Sequence, residues 1–259
     1  MSGSRLDEST SRRSGFQFAE LLKVQSKLAL REPYALLGGL ALPAILLAVF
    51  GFIGQAQPGN VGSTGLTIID IWTPTILVVS FIFISVSLPT TLVRDREIGW
   101  LRRVSTTPLH PSRLLASQLI IDLILAAAAV LIIILEGALV FGASLHVQIL
   151  PFAVSLLLSI AELFAFGLVI VALAPTQTVA SAVGGVFTFG LMFLSGLWVN
   201  PAQVGDPLQT IMYYSPSGAA TRAVLDSAFN GGPSYAGLLT MAVYTVIFGF
   251  IAIRYFRWE

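Results

Sequence analysis

Residues 114–141 have the sequence LLASQLIIDLILAAAAVLIIILEGALVF, and this stretch decides the class of fold. Its charged side chains are Asp122 and Glu136, and nearly all of the remaining positions are apolar. A helix crosses the hydrocarbon core of a bilayer with about 20 mostly apolar residues. The stretch is long enough to do so and therefore predicts a transmembrane helix.

The whole chain has the composition of a membrane protein. It contains 259 residues, of which 56% are hydrophobic and 10% are charged. A soluble domain carries about 25% charged residues, so the charges present here could not cover a water-facing surface. The composition excludes a soluble globular enzyme, a disordered chain and a coiled coil. The net charge of +1 indicates no nucleic-acid partner.

Five further apolar stretches are long enough to cross a bilayer. Together with the first, they predict an all-α polytopic membrane protein with six transmembrane helices. The predicted spans cover residues 33–54, 72–93, 114–141, 151–173, 179–199 and 235–253.

The Lys and Arg side chains predict the orientation. With six spans, the cations before the first span, those in 94–113 and those in 254–257 lie on one side of the membrane. Arg222 is alone on the other side. Because Lys and Arg are concentrated on the cytoplasmic side of membrane proteins, both termini are predicted in the cytoplasm.

Two segments precede the first span. Residues 1–15 are polar and predict a disordered tail. In residues 16–31, Lys23, Lys27 and Arg31 share one helical face, and leucines recur on another. A basic amphipathic helix of this kind suits the lipid headgroups. The alternative is a solvated helix that leads into the first span.

The loop after the second span, RDREIGWLRRVSTTPL (94–109), combines two kinds of residue. Its charges alternate in sign, and Trp100, Leu101 and Val104 interrupt them. An apolar face flanked by ion-pairing groups suits docking into a groove on a soluble partner. The alternative is a basic loop that only fixes the topology.

Residues 200–234 on the opposite side predict two short helices that dip into the outer leaflet. The first ends at Tyr213 and Tyr214. The second begins at Ser215 as N-cap with Pro216 at the first helical position. A plain surface loop is the alternative.

Some side chains inside the spans have two interpretations. Glu136 and Glu162 could form a polar contact in a transport pathway, or they could hold helices together. We expect spans three and four to be antiparallel neighbours, so that the two acids approach each other. Some aromatic side chains could face an apolar substrate or simply pack against helices and lipid. They are Phe81, Phe83, Phe187, Phe189, Phe193 and Trp198.

Two motifs resemble those of a known family. The run Arg-Asp-Arg-Glu-x-Gly-x-Leu followed by Thr-Pro-Leu (94–109) is similar to the signature loop of the permeases of type-2 ABC exporters. LSGLWV (194–199), followed by Tyr-Ser-Pro (214–216), is similar to a later motif of the same family. The resemblance is closest to the short permeases that export drugs, antibiotics or lipids.

The resemblance implies a complex in the plasma membrane of a bacterial cell. Two copies of the permease would pair above two ATPase subunits, which would bind ATP and Mg. The helix over 16–31 would be the interface helix, and 174–178 would make a smaller cytoplasmic contact. Tyr213, Tyr214, Ser215 and Pro216 would belong to the re-entrant gate. The coupling helix would contain Arg94, Asp95, Arg96, Glu97, Gly99, Trp100, Leu101, Arg102, Arg103, Val104, Thr107, Pro108 and Leu109.

The sequence contains no phosphate-binding loop, so ATP chemistry is expected on another chain. It contains no cysteine and two histidines, and we expect no metal site and no catalytic residue in this chain. The cargo is expected to be hydrophobic or amphipathic: a drug, an antibiotic, a lipid or a lipid-linked glycan. The alternative function is an ATP-independent secondary transporter or channel. Internal repeats or helices broken near the midplane of the membrane would be the sequence signature of that class.

Overall fold

The computed structural model describes residues 36–56, 59, 65–99, 111–143, 148–229, 232 and 234–255. The predicted tail and amphipathic helix (1–31) and most of the predicted docking loop (100–109) lie outside these residues. Within them, every regular element is helical. The elements are α1 (Leu37–Ala56), α2 (Ile68–Glu97), α3 (Pro111–Phe141), α4 (Ile149–Leu173), α5 (Gln177–Leu194), α6 (Asp206–Tyr214), α7 (Pro216–Phe229) and α8 (Tyr235–Tyr255).

Six of these helices, α1 to α5 and α8, are long and apolar enough to cross a membrane, with mean hydropathies from 1.5 to 2.8. The prediction of an all-helical chain with six such helices is confirmed. The short helices α6 and α7 lie between α5 and α8, where the sequence predicts two short helices.

Helix α2 is longer than its predicted span because of a cap at its start. The Thr67 hydroxyl accepts a hydrogen bond from the Asp70 N–H (3.4 Å), and the Asp70 carboxylate accepts one from the Thr67 N–H (2.9 Å). This reciprocal capping box satisfies backbone donors that the first turn would otherwise leave unpaired. The helix therefore begins at Ile68 rather than at Trp72.

Helix α5 is shorter than predicted. It ends at Leu194, because Gly196 adopts a left-handed conformation (φ +88°). The Gly196 N–H donates to the Phe193 carbonyl (3.2 Å) and the Leu197 N–H to the Met192 carbonyl (3.3 Å). These two bonds form a Schellman motif, which terminates a helix. The helix therefore ends five residues before residue 199, the predicted end of this span.

Helix α2 is the centre of the molecule. In the apolar stretch of α2, 82% of the residues are buried within the protein, whereas 17% are buried in the apolar stretch of α8. It packs against α1, α3, α4, α5 and α7. It approaches α4 closely at Gly167, where an added Cβ atom would collide with the carbonyl oxygen of Ser85. Glycine at this position lets the two backbones come together.

Helices α3 and α4 pack on different partners. Helix α3 packs on α1 and α2, whereas α4 packs on α2, α7 and α8, and the two make at most marginal contact with each other. The expectation that they are neighbours, with Glu136 close to Glu162, is therefore wrong. The physical reason is that α4 buries one face against α2, α7 and α8, whereas α3 packs on the side of α2 that α1 occupies.

The long helices alternate in direction, which gives the molecule two ends. The basic end consists of the C-terminal ends of α2 and α8, the start of α3 and the α4–α5 turn. It carries Arg94, Arg96 and Arg254. The loop end contains residues 195–229 and the start of α2. Among the described cations, Arg222 is the one at the loop end.

Candidate functional site

The end of α2 carries the first part of the predicted docking loop. Arg94 to Glu97 are helical, and Ile98 and Gly99 close the helix with bonds from their N–H groups to the carbonyls of Arg94 and Arg96 (both 3.0 Å). Gly99 has a φ of +68°, a conformation that favours glycine. Ile98 is 62% exposed beside this stop. The chain thus presents an apolar side chain where the docking loop begins.

The rest of the predicted coupling set falls outside the described residues. It comprises Trp100, Leu101, Arg102, Arg103, Val104, Thr107, Pro108 and Leu109.

Arg96 joins the docking loop to a second segment of the basic end. Its guanidinium donates to the carbonyl oxygen of Ala174 and, at 3.4 Å, to that of Pro175. Ala174 caps the C-terminal end of α4, where unpaired carbonyls carry partial negative charge. The sequence predicts both segments as contacts of one partner. It gives no sign of this bond, which joins residues 78 positions apart.

A cleft of about 510 Å³ opens next to this contact. It is lined by the end of α2, the α4–α5 turn and the end of α8, the last through Tyr255. Three segments that are distant in the sequence therefore share one surface at the basic end.

The two acids predicted within the spans have different surroundings. Glu162 is fully buried in α4, and both of its carboxylate oxygens lack a hydrogen-bond partner among the described residues. Glu136 in α3 is partly exposed. A buried acid without a hydrogen-bond partner is costly in a membrane.

The predicted pathway aromatics do not form one group. Phe81 is fully buried in the core, and Phe83 packs over Gly38. On α5, Phe187 contacts Phe166 edge-on (5.2 Å between ring centroids), and Phe189 and Phe193 are exposed. Trp198 is half-exposed and lines a cavity at the loop end.

This loop-end cavity has a volume of about 800 Å³ and lies between α1, α2, α7 and the segment that follows α5. Phe50 and Trp72 form part of its wall and stack face to face, with 3.8 Å between their ring centroids. The lining is Phe50, Ile53, Ile68, Ile71, Trp72, Thr75, Ser195, Gly196, Trp198, Val199, Asn200, Pro201, Gln203, Tyr213, Gly218, Thr221, Arg222, Leu225 and Asp226.

The corner between α6 and α7 closes one side of this cavity. The Ser215 hydroxyl accepts from the Gly218 N–H (3.1 Å) and donates to the Met212 carbonyl (2.8 Å). Pro216 follows as the first residue of α7, so the predicted helix start is confirmed. The Tyr244 hydroxyl of α8 donates to the carbonyl of Tyr214 (3.2 Å). The corner is therefore fixed to α8.

Three polar residues of the cavity, Arg222, Asp226 and Thr221, are not among the site residues predicted from the sequence. The Nε atom of Arg222 lies 3.7 Å from the Asp226 carboxylate, one helical turn away, and its guanidinium lies 5.0 Å from the centre of the Tyr213 ring. The hydroxyl of Thr221 is buried without a partner among the described residues. The available sequence signal was the isolated cation at position 222, four residues before an acid.

Comparison with known proteins identifies the family. The family model described as "ABC-2 type transporter" matches residues 16–229. A protein of Cyanophora paradoxa, provisionally named transport permease ycf38, is 31% identical over 201 residues, which cover 73% of this chain and 67% of the relative. The family match covers well over half of the chain and includes α1 to α7. The chain belongs to the ABC-2 type transporter family.

Proposed function

We propose that the chain is the permease subunit of an ABC exporter that moves a hydrophobic or amphipathic substrate across the cell membrane. One observation carries the proposal. Helix α2 is a single helix of 30 residues, with Pro74 and Pro89 inside it, and it reaches from the loop-end cavity, where Trp72 lines the wall, to the basic end. A helix that touches both places can transmit movement between a docking surface and a substrate site.

The docking surface in this proposal is the basic end. Residues 94–109 contain the coupling helix that enters a groove on the ATPase, and the α4–α5 turn makes a second contact. A helix of 30 residues spans roughly 45 Å, so α2 brings a displacement at Arg96 to the opposite side of the bilayer. ATP binding drives the cycle because the ATPase dimer binds the two conformations of the permease with different affinity.

The orientation follows from the cations. The basic end faces the cytoplasm, in accord with the positive-inside rule. The loop end then faces outward, and α6 and α7 lie in the outer leaflet above the cavity. Exposed apolar side chains of α6, such as Ile211 (58% exposed), suit a lipid environment.

A second copy of the chain completes the pathway in this proposal. Helix α5 exposes Val186, Phe187 and Phe189 in succession near its C-terminal half. The resemblance to type-2 ABC exporter permeases implies that spans two and five line the interface between the two copies. Since the described part of α2 is largely enclosed by its own chain, we assign the main contact to α5 instead.

ATP hydrolysis belongs to a separate subunit, which binds ATP and Mg. The decisive experiment is to purify the tagged full-length chain from its native membranes and reconstitute the particle in vesicles. We expect an ATPase to co-purify in equal amount and substrate movement to require ATP. Transport by the chain alone, without ATP, would instead support a secondary transporter or channel.

A further inference from the structure

We infer that the loop-end cavity binds an amphipathic molecule with an anionic headgroup, and that Arg222 holds the headgroup. The role of such binding in export rests on the proposed function. The binding itself depends only on this chain. The headgroup could belong to a resident bilayer lipid or to a free amphiphile in transit, and the chemistry of recognition is the same.

Arg222 has donors available for a ligand. Its contact with Asp226 runs through Nε at 3.7 Å, which is beyond hydrogen-bonding distance. Its other contact is with the face of the Tyr213 ring. Among the described residues, no acceptor binds its two terminal nitrogens, although a guanidinium presents five N–H donors. Asp226 and Tyr213 thus orient the guanidinium, and among the described residues no acceptor occupies its two terminal nitrogens.

Asp226 lowers the net charge of the site, and an anion must compete with it. A phosphate or carboxylate can form two short, parallel hydrogen bonds to a guanidinium, which are much stronger than a contact at 3.7 Å. An anionic headgroup is therefore favoured over a neutral one. A cationic headgroup would face the Arg222 guanidinium directly.

Thr221 offers a second polar contact. It is 8% exposed, and its hydroxyl has no partner among the described residues. A buried hydroxyl without a hydrogen bond costs about 1–3 kcal/mol. Thr221 lines the same cavity as Arg222, and threonine has two accessible χ1 rotamers in a helix, so its hydroxyl is a candidate second contact for a headgroup oxygen.

The opposite wall suits the apolar part of the molecule. The stacked pair Phe50–Trp72, together with Ile53 and the half-exposed Trp198, provides an apolar surface. The volume of about 800 Å³ lies within the range of small-molecule sites. One polar edge and one aromatic wall together define an amphipathic ligand.

The test uses Trp72 as the reporter. The chain has four tryptophans, so changing Trp100, Trp198 and Trp258 to phenylalanine leaves only Trp72 in the cavity wall. The full-length variant is placed in nanodiscs with phosphatidylglycerol or phosphatidylcholine that carries the same brominated acyl chains, which quench tryptophan fluorescence. We expect half-quenching at about a tenfold lower mole fraction of phosphatidylglycerol, the equivalent of one charge-assisted hydrogen bond.

Arg222→Gln should abolish this preference, and Arg254→Gln, a control at the basic end, should retain it. Arg222→Lys keeps the positive charge but lacks the planar guanidinium, and it should give an intermediate preference. An intermediate value would show that the loss in Arg222→Gln does not come from a folding defect. Equal quenching by both lipids, or a preference that survives Arg222→Gln, would overturn the inference.

A second arm separates the two sources of the headgroup. Dodecyl phosphate is added to nanodiscs that contain brominated phosphatidylglycerol. Recovery of fluorescence supports a site that exchanges with free amphiphiles, and unchanged quenching supports a resident lipid. Both outcomes support binding at Arg222. Neither requires nucleotide, so failure of ATP-driven transport would contradict the proposed function and leave this inference standing.

Discussion

Arg96→Ala should separate ATP hydrolysis from substrate transport. Arg96 is the side chain that ties the end of α2 to the carbonyls of Ala174 and Pro175. Without it, the docking loop and the α4–α5 turn can move independently. The ATPase subunit would still bind, because every other residue of the docking loop (94–109) is unchanged.

The size of the effect follows from the strength of this contact. Hydrogen bonds to a charged group contribute about 1.5–3 kcal/mol, and the partial exposure of Arg96 favours the lower end of that range. Since 1.4 kcal/mol is a factor of ten, we expect about tenfold less substrate moved per ATP hydrolysed.

The assay measures ATP hydrolysis and substrate uptake in the same reconstituted vesicles. Arg254→Ala is the matched control, because it removes an exposed arginine at the same end for which the described residues show no contact. Arg96→Lys should recover part of the coupling. If Arg96→Ala transports as much per ATP as the parent complex, then this contact does not couple the two segments.

Three other substitutions test the docking loop, the end of α5 and the buried acid of α4. Leu101→Asp should abolish ATP-driven transport but leave membrane insertion intact, as measured by protease protection, and normal transport would remove the assignment of the docking loop. Gly196→Ala should lower the free energy of unfolding by about 1–2 kcal/mol, because alanine is strained in the left-handed conformation that ends α5. Thermal unfolding measures this loss, and Gly190→Ala is the control because an added methyl group there meets no other atom. Glu162→Gln should raise or preserve the unfolding midpoint, because a partnerless acid costs about 2.5–3.5 kcal/mol in a membrane, and a lower midpoint would reveal a stabilising contact of the carboxylate.

The helices could be predicted from the sequence because length and hydropathy suffice to identify apolar helices. Residues 114–141 exceed the length of a span, and no soluble fold could cover so apolar a chain with its few charges. The start of α7 was also predictable, because Ser215 and Pro216 act locally.

Other features depend on contacts that no local pattern records. The Thr67–Asp70 capping box extends α2 beyond its apolar run, and Gly196 ends α5 before its apolar run is complete. The adjacency of α3 and α4 was wrong because neighbours in sequence need not pack together in a helical bundle. The Arg96–Ala174 contact and the loop-end cavity could not be predicted, because each brings together segments that are distant in the sequence.

The width of the loop-end cavity can be measured while the nucleotide is changed at the opposite end of the molecule. The chain has no cysteine, so spin labels at Ile53→Cys and Leu225→Cys report the distance between α1 and α7 without background. In the complex with its ATPase, we predict that ATP with vanadate changes this distance and that Arg96→Ala suppresses the change. An unchanged distance in every nucleotide state would contradict the role of α2 as the link between ATP and the cavity.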